Sequence, residues 1–396
     1  MGRLGRGLRR MPAGVWALGL VSLLMDVSSE MIHALLPVWL MVGLGASALT
    51  VGLIEGVAQA TAAITKLFSG ALSDRLGRRK PLVLLGYALA AVTKPVFAMA
   101  PSAGWVAAAR FADRVGKGIR GAPRDALLAD LAPEDIRGAA IGLRQSLDTA
   151  GAFLGPLLAV GLMWVFADNF RAVFWTSAVP AVLAVALILF AVREPPRAGK
   201  PVRAPLSRAG LGRLGRRYRQ VVAVAVAFTL ARFSEAFLVL RAEGAGLSFT
   251  LLPLVFVALN LAYFLSAYPA GAVSDRVDRT LVLVPALVLL AAAQIALAGG
   301  GAIGIGAGVI LWGLHMGLSE GILSALVADS APAELRGTAY GVFHLVTGVA
   351  MLLASAIAGA LWQFAGPAFS FGAGAGFAAI ALAGVVALRR QWAARG

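Results

Sequence analysis

The chain has 396 residues, of which 60% are hydrophobic and 14% charged, with a mean hydropathy of +0.84. Water-soluble domains hold roughly 45–50% apolar and about 25% charged residues, so a soluble core cannot hide this much apolar surface and lipid has to be the solvent for most of it. The net charge of +16 does not signal a nucleic-acid partner, because Arg and Lys cluster in short gaps between apolar runs, and the lack of cysteine excludes disulfides and thiolate metal sites.

A membrane-crossing helix needs about 20 predominantly apolar residues. Such runs place spans at 13–43, 48–73, 81–100, 103–128, 138–166, 171–192, 220–243, 249–273, 280–298, 301–328, 338–364 and 367–389. The opening MGRLGRGLRR superficially resembles a signal peptide. No small-residue cleavage site follows promptly and many more apolar runs do, so an uncleaved first span is expected. Gly116-Lys117-Gly118 lacks the hydroxyl residue of a phosphate-binding loop, which counts against an ATP-driven pump. His33, His315 and His344 are scattered and give neither a metal cluster nor a hydrolytic constellation, so no cofactor, metal or enzymatic activity is expected.

Orientation follows from the basic residues of the gaps. One side carries Arg3, Arg6, Arg9 and Arg10, DRLGRRK (74–80), PEDIRG (133–138), the 193–219 stretch, DRVDR (275–279) and Arg389-Arg390. The other carries GLGASALT, MAPSAGW, GGGAIG and FAGPAF, all uncharged, plus two sparsely charged turns. Both termini and the central linker are therefore expected in the cytoplasm of a bacterium, with the chain in the inner (plasma) membrane. The expected domains are an N-terminal bundle of six helices (1–192), a basic cytoplasmic linker (193–219) and a C-terminal bundle of six helices (220–396). The linker reads as a solvated connector ahead of an anionic-lipid contact.

The halves repeat. GALSDRLGR (70–78) matches GAVSDRVDR (271–279), ADLAPEDIRG (129–138) matches ADSAPAELRG (328–337), and Ser29-Glu30 is weakly echoed by Ser234-Glu235. Parallel repeats related by an axis along the membrane normal organise one class of transporter. On these motifs the chain resembles the major facilitator superfamily over essentially its full length. GALSDRLGRRK fits the signature between that family's second and third helices, the second copy departing at Asp278 where the pattern has Gly. RVGKGIRGA (114–122) resembles the family's fourth-helix element. GAFLGP (151–156) resembles the first part of the fifth-helix signature of proton-driven exporters, without the later Gly pair. The resemblance implies an all-α membrane protein of twelve transmembrane helices in two pseudo-symmetric bundles. It also implies a gate that includes Gly70, Asp74, Arg75, Gly77, Arg78, Asp275 and Arg276. Gly155-Pro156 is expected to bend the fifth helix and shape the gate.

A charge at mid-bilayer costs at least about 2.5–3.5 kcal/mol, so each needs a reason. At 100° per residue the fourth span gathers Arg110, Asp113, Arg114, Lys117, Arg120, Arg124 and Asp125 within an arc of about 140°, opposite Phe111, Ala112, Val115, Ile119 and Ala122. The first span gathers Asp26, Glu30 and His33 within about 60°. The seventh contributes Arg232 and Glu235, and the tenth His315 and Glu320. These are the four helices that line the central cavity in the family that the chain resembles.

The expected function is secondary active transport by alternating access, with proton-coupled efflux of a small anionic or zwitterionic solute. Asp26, Glu30, Asp113 and Arg114 are expected to couple protons. His33, Arg110, Lys117, Arg232, Glu235, His315 and Glu320 are expected to bind the solute. Duller roles compete: Asp113 and Arg114 as static struts, Lys66 and Lys94 as snorkelling cations, His315 and His344 as packing histidines, and Trp16, Trp105 and Trp362 as interface anchors. An uptake symporter is the nearest alternative, and a non-transporting assembly or receptor protein is the alternative of another class. The expected partners are the solute, protons and the lipid bilayer, and the expected state is a monomer.

Overall fold

In lipid no water is at hand to hydrogen-bond exposed amides, so an apolar run crosses as a helix that satisfies its own backbone. The computed structural model describes residues 11–76, 78–133, 136–194, 214–274, 277–332 and 335–393, and these form helices joined by short turns. In order they are α1 (Ala13–Gly43), α2 (Ala48–Leu76), α3 (Lys80–Met99), α4 (Ala103–Leu131), α5 (Arg137–Val165) and α6 (Phe170–Ala191). Then come α7 (Arg216–Glu243), α8 (Leu254–Ser274), α9 (Arg279–Gly299), α10 (Gly301–Ser330), α11 (Arg336–Ala365) and α12 (Pro367–Ala393). Eleven of these segments are long and apolar enough to cross a membrane. α4 is the exception, since its charges lower its hydropathy although its 29 residues equal those of α2 and α5. Large apolar side chains such as Ile303, Phe190 and Phe364 stand 82–90% exposed, an arrangement suited to acyl chains and not to water.

Two helices are broken where the sequence reading has continuous spans. α1 is regular from Ala13 to His33, turns at Ala34 and Leu35, and resumes as Leu36–Val38 and a π-turn, Trp39–Gly43. Pro37 accounts for the break, because its ring excludes the amide and crowds the carbonyl four residues back. α7 is regular over Arg216–Ala231 and again over Ala236–Glu243, with Arg232 at φ −111° and ψ 73° between. Neither Pro nor Gly lies in that gap. The freed backbone groups bond to side chains instead: Gln294 Nε2 donates to Ala231 O (2.6 Å), and Ser234 N donates to Ser355 Oγ (3.2 Å).

Polar residues also fix helix starts. Asp278, the departure from the repeated motif, caps α9 by accepting from Thr280 N and Oγ1, both at 2.8 Å. Asn169 caps α6 through Ala172 N. The first amides of α3, Arg79 N and Lys80 N, both donate to the Glu194 carboxylate, and the Lys80 ammonium donates to the last carbonyls of α6 at Leu189 and Val192.

Packing divides the chain into two units, Met1–Leu36 with Thr61–Arg203 and Pro37–Ala60 with Ala204–Gly396, so the N-terminal part of α2, up to Ala60, groups with the second. The apolar core of the first unit joins Val15, Leu18 and Met25 of α1 to Tyr87 of α3, Leu127 of α4 and Ala184 of α6. That of the second joins Phe228 of α7, Leu287 of α9, Val327 of α10 and Phe343 of α11. Glycine permits the tightest approaches. A Cβ on Gly86 of α3 would sit 2.6 Å from Gly116 O, and one on Gly155 of α5 would sit 2.8 Å from Val27 O and Glu30 Cβ of α1. Pro156 lies within an unbroken α5, and its neighbour Gly155 serves close packing against α1.

Gly86→Val should therefore destabilise the protein by about 1–3 kcal/mol or more, through overpacking against backbone that cannot yield. Gly142→Ala, where a methyl meets open space, should be neutral or stabilising by up to about 1 kcal/mol. Thermal melts in detergent compare the two; equal melting temperatures would mean that α3 and α4 are not pressed together at Gly86.

Candidate functional site

α4 turns its charges into the first unit. Arg110, Asp113, Arg114 and Arg120 are each at most 5% exposed, whereas Phe111 on the opposite side is half exposed. Asp113 is held on both carboxylate oxygens, by Lys94 Nζ of α3 at 3.0 Å and by Arg114 Nε at 3.5 Å. Lys94 Nζ also donates to Ser29 Oγ of α1 at 3.1 Å, tying three helices together. Lys94 is 1% exposed, which corrects the expectation that it snorkels: its ammonium stays in the interior because a carboxylate and a hydroxyl meet it there.

Towards the C-terminal end of α4 a second network forms. The Arg120 guanidinium lies 4.5 Å over the Tyr87 ring. Arg124 donates to Asp125 (3.0 Å), Ser22 (3.2 Å) and Tyr87 (3.5 Å). Arg144 of α5 pairs with Asp148 one turn on and lies 3.7 Å from Asp125. Tyr87, Arg144 and Asp148 escaped the sequence reading, although Arg144 and Asp148 carry the i,i+4 spacing of a helical ion pair.

Between these networks lie the two carboxylates of α1. Asp26 and Glu30 are half-buried. Glu30 meets His33 Nδ1 at 3.3 Å. The charged neighbours of Asp26 are Asp148, Lys117, Arg120 and Arg124, and those of Glu30 are His33, Lys117 and Arg114. Lys117 thus serves both acids, and it is exposed. Gly151 and Gly155 of α5 press on the backbone of this part of α1, where a Cβ on Gly151 would sit 3.0 Å from Asp26 Cβ.

The second unit holds a smaller cluster at the break in α7. Arg232 Nη2 donates to Glu320 Oε1 of α10 at 2.8 Å and to Glu235 Oε1 at 3.4 Å. Tyr263 of α8 hydrogen-bonds to Glu320. His315 is fully buried, with Nδ1 2.9 Å from Ala286 O and its ring against Phe228. Tyr263 was not foreseen, nor was Glu55 of α2, which is 1% exposed. Trp362, expected as an interface anchor, packs on Phe237 and Phe371 within an aromatic cluster, while Trp105 is 57% exposed.

Of the gate residues, Gly70 of α2 packs towards Ala122 of α4, and Arg78 is exposed. Asp74 and Arg75 lie in α2 with side chains outside the described set, and Gly77, Asp275 and Arg276 lie outside the described residues. Arg79 of this motif lies 3.0 Å from Asp130 at the end of α4.

Membrane-length helices around buried, mutually compensated charge define a multi-pass membrane transport protein. The Major Facilitator Superfamily model matches residues 18–343 and again 221–393. An uncharacterised MFS-type transporter from Methanocaldococcus jannaschii is 30% identical over 368 residues, 90% of each chain. The multidrug resistance protein MdtH of Yersinia enterocolitica is 32% identical over 173 residues, 43% of this chain and 42% of its own. The crystal structure of the nucleoside transporter NupG superposes with a TM-score of 0.81 over 94% of this chain and 99% of its own; at 11% identity the likeness is one of fold. The chain belongs to the Major Facilitator Superfamily. It is a transporter and not an enzyme.

Removing one partner of a buried pair strands the other charge, at a cost of about 3–5 kcal/mol. Asp113→Asn, which strands both Lys94 and Arg114, should therefore destabilise more than Lys94→Met. The double variant should recover part of the Asp113→Asn loss. Chemical denaturation of the purified protein reads all three; strictly additive effects would show that Lys94 and Asp113 do not interact.

Proposed function

We propose that this chain is a proton-coupled exporter of a small anionic or zwitterionic solute, working by alternating access in a bacterial inner membrane. The observation that carries the reading is the contrast between the acids of the first unit. Asp113 is pinned by two cations in the interior, whereas Asp26 and Glu30 are half-buried beside an exposed lysine.

A carboxylate with its cationic neighbour close by holds its charge, and one that loses that neighbour in a low-dielectric site takes up a proton. Lys117 is the mobile partner, being long, flexible and exposed, with Arg114 as the fixed one. Asp26 and Glu30 are accordingly the proton carriers, and Asp113 and Arg114 hold the frame in which they act. A proton moving down roughly 100 mV supplies about 2.3 kcal/mol, enough to drive a solute uphill without nucleotide.

The cationic stripe of Arg110, Arg114 and Lys117 suits an anionic group of the solute. The two glutamates set against Arg232 suit a cationic or hydrogen-bond-donating group. The partial likeness to a multidrug resistance protein supports export over uptake. The motif at 70–80 fits a cytoplasmic gate, and the basic gaps fit cytoplasmic termini.

Proteoliposomes with an imposed pH gradient and a metabolite and drug library test the reading through solute-dependent proton movement. Asp26→Asn and Glu30→Gln should insert normally and reduce that movement to background. Unchanged proton flux in both variants would remove the assignment.

A further inference from the structure

Around the break in α7 four buried polar atoms have no hydrogen-bond partner among the described residues: Oε1 of Gln294, Nε1 of Trp312, and the two that Phe228 brings into relation, Nε2 of His315 and Nε of Arg232. The state of the imidazole follows from its other nitrogen. His315 Nδ1 lies 2.9 Å from Ala286 O, and a carbonyl only accepts, so Nδ1 carries the proton and Nε2 presents a bare lone pair. The ring is fixed from its side by Phe228, with centroids 5.0 Å apart. Phe228 stands four residues before Arg232 on α7, and the charge of Arg232 acts on the imidazole.

Arg232 is fixed as well. Its Nη2 is engaged by Glu235 and Glu320, which leaves Nε–H as a donor of set direction. A buried acceptor and a buried donor, each without a partner, thus stand in one neighbourhood, and leaving either unmade is costly. The chemistry that satisfies both is narrow. A carboxylate or carbonyl oxygen accepts from Arg232 but gives nothing to His315, and an ammonium does the reverse. A hydroxyl does both from one atom.

We infer that His315 and Arg232 form a subsite for a hydroxyl group of the transported solute, which donates to His315 Nε2 and accepts from Arg232 Nε–H. The inference rests on the transporter reading and adds to it a class of cargo, hydroxylated solutes. It also gives His315 the part of a fixed acceptor that carries no proton through the cycle. Glu235, Glu320 and Tyr263 orient the guanidinium.

The test uses the full chain in lipid nanodiscs, labelled with 15N-histidine. Glucose, xylitol, inosine and tartrate are titrated, each beside a deoxygenated counterpart. A hydroxylated probe should move the His315 Nε2 resonance and raise the melting temperature, and its counterpart should do neither. His315→Asn retains a donor for Ala286 O with nothing at the Nε2 position, and Arg232→Lys retains a cation for the two glutamates without Nε–H. Both should weaken binding of that probe about tenfold or more.

The subsite is overturned if no hydroxylated probe moves the resonance, if deoxygenated counterparts move it equally, or if His315→Asn binds as wild type does. A resonance showing a resident water that no probe displaces overturns it too. Solute-driven proton flux is measured alongside. Flux of normal size and selectivity in His315→Asn would remove the subsite and leave transport standing. A hydroxyl-dependent resonance shift in a protein that moves no solute would remove the transport reading and leave the subsite.

Discussion

A polar group placed in hydrocarbon must find its partner inside the protein, and this constraint shapes each unusual feature of the chain. α4 could not cross a bilayer on its own composition. It crosses because Lys94, Ser29, Tyr87 and the acids of α1 and α5 surround its charges. The same constraint holds the break in α7 open. The carbonyl and amide released at Ala231 and Ser234 are taken by Gln294 and Ser355, both fully buried, so the unwound residues cost little.

Pairing of this kind grades the ionic groups by mobility. Asp113, enclosed with Lys94 and Arg114, has no room to exchange partners, and such a network gives position more than net stability. Asp26 and Glu30 share an exposed lysine, and exposure is what allows a partner to come and go. Acids on adjacent helices thus divide into one that is enclosed and two that are half-buried beside an exposed cation. Glycine sets the scale of the division: Gly151 and Gly155 bring α5 onto the backbone of α1 beside the two acids, so the carboxylates are held in place even where their partners are not.

Much of this was legible in the sequence because two periodicities carry it. Apolar runs of membrane length gave the helices, and spacing at 100° per residue gave the polar face of α4, since both depend on the chain locally. What escaped depends on contacts between helices. Lys94 is one charge on α3, and no local pattern separates a cation bound for the interface from one bound for a carboxylate on the next helix. The break in α7 has no Pro or Gly to announce it, because its cause lies in the side chains of Gln294 and Ser355 on α9 and α11. Asp278 was visible as a departure from the motif. Its reason, a cap on α9, needed the backbone around it.

The weak echo between Ser29-Glu30 and Ser234-Glu235 gains a physical meaning from the two broken helices. In α1 the serine accepts from Lys94 and the glutamate stands four residues before the turn at Ala34. In α7 the pair lies within the break, and Ser234 caps the new helix, its Oγ accepting from Ala236 N at 3.3 Å and its carbonyl from Phe237 N. With the serine serving the helix end, the Glu235 carboxylate is left free of the backbone and turns to Arg232. The repeat therefore keeps a serine and a glutamate in the broken helix of each unit and gives the pair different partners, Lys94 and His33 in the first and Arg232 in the second.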